Sequence, residues 1–125
     1  MFDEDDPALE RLREIALGLP DAAEKISHGH PAFFTTKVFA YFGGAEKADP
    51  GHVRHTSALI VLADDLERPA LLADDRFFVP MYLGPSGWVG LDLGPDTDWA
   101  EVAELVDMSY RLTAGVRRVR LLEER

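Results

Sequence analysis

The chain has 125 residues, with 13 lysines and arginines against 23 aspartates and glutamates, a formal net charge of −10 and no cysteine. That length suits one domain with one core over residues 1–125, and the composition excludes disulfide and thiolate chemistry. The acidity opposes nucleic acid and anionic membranes at long range, no apolar run reaches the ~20 residues of a membrane helix, and the start MFDEDDPALE is the reverse of a basic signal peptide, so a cytoplasmic protein without membrane contact is expected.

Asp6-Pro7 predicts a helix start, an N-cap followed by proline at the first helical position. Leu9, Leu12, Ala16 and Leu19 recur at helical spacing, and Gly18 and Pro20 end the pattern. AFFTTKVFAYFG (residues 32–43) predicts two strands joined by a tight turn at Thr35-Thr36, apolar on both faces, so that both faces are at least partly covered. GAEKADPGHVRH (residues 44–55) reads as a polar, solvated loop. TSALIVLA (residues 56–63) is the third strand, and residues 68–73 form a short helix opened by Pro69. RFFVPMY and GWVGLDL supply two closing strands around the turn Gly84-Pro85-Ser86-Gly87. Asp98, with Glu101 three residues on, predicts the capped start of a long helix that Gly115 stops. The basic tail VRRVRLLEER is one more short helix.

Consecutive strands with short connections and no βαβ alternation predict an α+β two-layer domain with a mostly antiparallel sheet and helices on one face. HGHPAF, KVFAYF, RFFVPMYLGPSGWVGLDL and DWAEVAELVDMSYRLTA follow one another in this order, and in combination they resemble the MmcQ/YjbR family of small bacterial proteins from about Leu9 to Ala114. The resemblance implies an α-β(3)-α-β(2)-α order like that of secretion chaperones. It also implies DNA as partner, met by two hairpin wings, here around Thr35-Thr36-Lys37 and around Gly84 to Gly87. Family members often carry Lys or Arg at the second tip; Ser86 stands there in this chain.

Each candidate site has two readings. The Gly84–Gly87 turn could offer backbone N–H groups to phosphate, but it leads into a strand rather than a helix N-terminus, and its Pro and Gly positions suit an ordinary type I turn. Gly90 allows a close approach by Trp88 or a neighbouring strand. Tyr82 and Trp88 bracket the turn, either as a stiffening cross-strand pair or as aromatics at a pocket mouth that could stack on a base. His28 and His30, with one residue between them on an extended segment, would share a side, and His52 and His55 could close over them as zinc or nickel ligands; packed or solvated histidines are the plainer reading. The tail concentrates positive charge in Arg111, Arg117, Arg118 and Arg120, which with Lys37 are the residues for a phosphate backbone, or else pair with acids of the chain. No nucleophile elbow, phosphate loop or paired catalytic acid is visible. The expectation is a non-catalytic binding protein with no cofactor, a monomer or homodimer. DNA is the partner implied by resemblance, a small molecule or protein is the alternative, and a histidine metal enzyme is the remotest reading.

Overall fold

The computed structural model describes residues 2–125. In chain order the elements are α1 (Pro7–Leu17), β1 (Ala23–Ser27), β2 (His30–Phe34), β3 (Val38–Lys47), β4 (His52–Leu62), α2 (Arg68–Ala73), β5 (Phe77–Phe78), a 3₁₀ turn (Gly84–Ser86), β6 (Trp88–Asp92), α3 (Trp99–Thr113) and α4 (Val116–Glu123). All six strands form one antiparallel sheet in the order β1-β2-β3-β4-β6-β5. The architecture is the expected α+β, two-layer one. Among the described residues no helix is long and apolar enough to cross a membrane.

The caps form where the sequence places them. The Asp6 carboxylate accepts from the Ala8 N–H at 2.9 Å, and the Asp98 carboxylate accepts from the Ala100 and Glu101 N–H groups. An isolated 11-residue helix like α1 is marginal in water. Its stripe of Leu9, Leu12 and Ala16, fully buried, holds it on the sheet, each leucine contributing ~2 kcal/mol. Val102, Val106 and Tyr110 of α3 join the same core with Phe33, Phe39, Phe42, Leu59, Val61 and Val89. Among the described residues Ser109 is the one polar residue buried inside. Its hydroxyl donates to the Phe39 carbonyl and accepts from the Leu62 N–H at 3.0 Å, pinning α3 to two strands. Tyr110 stands edge-on to Phe39 and donates its buried hydroxyl to the Pro20 carbonyl at 2.7 Å.

Three local expectations are corrected. Residues 44–55 are not a loop. β3 and β4 continue through them as a two-stranded arm, paired from Gly44↔His55 to Lys47↔His52, with only residues 48–51 as its tip. A register shift between Phe42 and Gly44 separates the arm from the central part of the β3–β4 pair. Ala23–Ser27 is an additional edge strand, with Ile26 more than half exposed. RFFVPMY contributes only Phe77–Phe78, because the chain leaves the sheet ahead of Pro80.

Residues 79–87 are therefore not a tight hairpin tip but the long connection between the antiparallel strands β5 and β6. They cross the sheet face opposite α1 and α3, where Pro80 bridges to Glu46 and the Met81 N–H donates to the Ala45 carbonyl at 2.7 Å. Gly84-Pro85-Ser86 is a 3₁₀ turn closed by Gly87 at φ +96°, and Arg68 clamps it by donating to the Gly87 and Ala63 carbonyls. A second, smaller core forms below this crossing from Ala58, Ile60 and Phe78, with Tyr41, Leu83 and Trp88 packed on it. Gly90 makes room for the Phe78 ring from the neighbouring strand: a Cβ there would overlap that ring, so the close approach read from the sequence belongs to Phe78 rather than Trp88.

Candidate functional site

The arm and the crossing segment enclose a groove of about 610 Å³ on the face of the sheet away from α1 and α3. Its volume falls within the ~300–1,000 Å³ usual for small-molecule sites. The floor is Tyr41 and Ile60, beside Gly43 and Gly44, with Pro80, Met81, Tyr82 and Leu83 along one wall. Ser27, His28 and His30 come from the β1–β2 hairpin and His52, Arg54 and Thr56 from the arm. Among the described residues no aspartate or glutamate lines it, although the chain carries 23 of them.

Three of the four histidines meet here. His28 is not on an extended segment. It occupies the β1–β2 turn at φ +53°, a left-handed conformation that histidine tolerates better than bulkier residues do. His30 opens β2, and its half-buried ring lies against Gly43 (φ +85°), where a Cβ would come within 3.0 Å of Nδ1. That nitrogen is buried without a hydrogen-bond partner. Burial pushes the His30 imidazole below its ordinary value, so the ring is neutral at pH 7. His52 is exposed on the arm.

His55 stands apart from these three. It lies in the angle between the arm and β6, its Nδ1 2.7 Å from Asp92 Oδ1 and its Nε2 2.9 Å from Glu46 Oε1. The side chain is 11% exposed. Burial alone would push this imidazole down; the hydrogen bonds to Asp92 and Glu46 outweigh it, and the net displacement is upward. Among the described residues no three His, Cys, Asp or Glu side chains form a group able to hold a metal ion.

The two aromatics separate. Tyr82 sits on the groove rim, 89% exposed and held at φ +68°. Trp88 packs under the crossing against Tyr41, ring centroids 5.5 Å apart, so the tryptophan pairs across the sheet with Tyr41 rather than with Tyr82. The basic residues are dispersed. Arg111 binds Asp107 and Glu123, while Arg117 and Arg118 both bind Asp21 and hold its carboxyl below the usual range. Arg118 also reaches the Thr36 hydroxyl. Arg120 is exposed on α4, Lys37 is exposed at the β2–β3 turn, and Ser86 is exposed on the 3₁₀ turn. Among the described residues Arg54 has no carboxylate partner.

Gly44 and Arg54 lay in the stretch read as loop and Gly43 at the end of a strand, so only His28, His30, His52 and Tyr82 stood out beforehand. The signal available for the rest was the Gly43-Gly44 pair following an apolar strand, which marks a bulge or a close backbone approach.

Fold and groove together define a small α+β domain that carries its open cavity on the sheet face away from α1 and α3. A family model described as YjbR matches residues 17–112, and the chain belongs to the YjbR family. No match was found among curated proteins.

Proposed function

We propose that this YjbR-family chain is a binding protein and that its site is the groove between the β3–β4 arm and residues 79–83, which takes a small molecule. The observation that carries this reading is the groove's composition: an apolar floor and wall, convergent imidazole, hydroxyl and guanidinium groups at one side, and no carboxylate in the lining of a protein with a charge of −10. Two of the three non-glycine residues at positive φ, His28 and Tyr82, lie on its walls. Strained backbone of this kind gathers at ligand clamps. Binding is favoured over catalysis because the histidine paired with carboxylates, His55, lies outside the groove with both nitrogens taken.

A ligand-observed NMR screen of a fragment mixture tests the reading, run on the wild type and on Thr56→Trp, which fills the groove from an exposed position. Hits that bind the wild type and are lost in the variant support it. Hits indifferent to Thr56→Trp contradict it.

DNA contact through the hairpins is the second reading. The exposed Lys37 and the arm's Lys47 and Arg54 favour it, since a two-stranded ribbon is a known way to enter a groove of DNA. Arg111, Arg117 and Arg118 would have to leave their carboxylates to reach phosphate. Anisotropy of a labelled duplex at ~50 and ~200 mM salt decides this reading, because phosphate contacts weaken steeply across that range.

A further inference from the structure

We infer that the groove selects a planar aromatic monocarboxylate: an apolar ring carrying one negative charge. The inference rests on the small-molecule reading above and adds the ligand's class. Three features of the groove specify it.

The first is charge. Arg54 is the one permanently charged side chain in the lining, it has no acidic partner among the described residues, and no carboxylate opposes it. A cationic or dicationic ligand would meet only repulsion there. One carboxylate matches one guanidinium, whose planar fork suits it in charge and in geometry. Thr56, two residues beyond Arg54 along the same strand, adds a hydroxyl donor to the lining.

The second is shape. Gly43 and Gly44 let the His30 ring and the Ile60 side chain lie close on the backbone, and with the Tyr41 ring these form the floor. Gly43 cannot carry a Cβ without crowding His30 and the Thr56 carbonyl, so the seat of the flat His30 ring is built into the backbone at φ +85°. A flat apolar body fits such a surface better than a branched one.

The third is Tyr82. An 89% exposed tyrosine gains nothing from the core, and left-handed backbone costs a bulky residue ~1–2 kcal/mol relative to ordinary conformations. That conformation presents the ring at the rim of the groove, across from the β1–β2 hairpin, where it can close on an aromatic ligand lying over Tyr41.

The test is isothermal titration of the wild type with 1-naphthoate and with its uncharged isostere 1-naphthamide, and of Arg54→Gln and Thr56→Trp with 1-naphthoate. Saturable 1:1 binding of naphthoate, abolished in Thr56→Trp and weaker by about tenfold or more both in Arg54→Gln and for the amide, is the expected result for one charge-assisted contact. Amide binding as tight as naphthoate, and abolished in Thr56→Trp, overturns the carboxylate class while leaving the groove as a small-molecule site. No naphthoate binding to the wild type overturns the class as well, and the fragment screen then decides separately whether the groove binds at all. Circular dichroism of both variants checks that each is folded.

Discussion

The His55 imidazole lies face to face on the Phe78 ring, centroids 3.7 Å apart and planes 11° from parallel. Its two nitrogens meet Glu46 on the arm and Asp92 at the end of β6. One side chain thus ties together the arm, the last strand pair and the small core beneath the groove. Protonated, the ring donates to both carboxylates; neutral, it can donate to only one.

That arrangement sets a pH dependence. The folded His55 value is raised above the unfolded ~6.5, so its contribution is fully present below about pH 6.5 and is lost as pH rises through the folded value. His55→Gln is expected to cost about 1 kcal/mol more at pH 6 than at pH 9, a figure kept small because Glu46 and Asp92 are partly exposed and screened. Urea unfolding of both proteins across that range measures it. A gap that widens with pH would contradict the assignment.

Gly90→Ala is expected to destabilise by ~1–3 kcal/mol, since the new methyl would overlap the buried Phe78 ring. Phe78→Leu in the same chain should recover part of that loss, and a double-mutant cycle reads the coupling. Additive losses would mean that the two residues do not share the space.

Ser109→Ala leaves the Leu62 N–H and the Phe39 carbonyl without their shared partner. A cost of ~1–3 kcal/mol in denaturant unfolding is expected, the penalty for buried polar groups stranded without a bond. A neutral effect would show that the strand groups find other partners.

Tyr82→Gly separates stability from binding. Glycine adopts positive φ without strain but gains freedom in the unfolded chain, so the two effects nearly offset and stability should change by less than ~1 kcal/mol. Groove binding should weaken. A clear loss of stability would mean that the exposed ring packs on something in solution, and the clamp reading would fall.

Much of the fold was legible because local signals agreed. Asp6-Pro7 and Asp98 with Glu101 marked both long helices at their caps, and the apolar runs of β3, β4 and β6 marked the centre of the sheet. The arm was hidden because its residues are polar: Glu46, Lys47, His52, Val53 and Arg54 show no apolar alternation, and the pairing that makes them strands is between two polar segments. β1 escaped for a related reason, being an edge strand with one exposed isoleucine as its main apolar residue. The clustering of histidines between residues 28 and 55 was visible. Their division into three around the groove and one between carboxylates depends on the strand register at the Phe42/Gly44 shift, which no local pattern encodes. The arginine tail likewise showed its charge but not its partners, because Asp21 lies about a hundred residues away in sequence.

Amide chemical-shift mapping on uniformly labelled protein, titrated with the fragment hits, tests the central claim most directly. The largest shifts are expected at Gly43, Gly44, Arg54, Met81 and Tyr82, with Lys37 and the α4 arginines unmoved. Shifts gathered on Lys37 and the α4 face, with the groove silent, would contradict it.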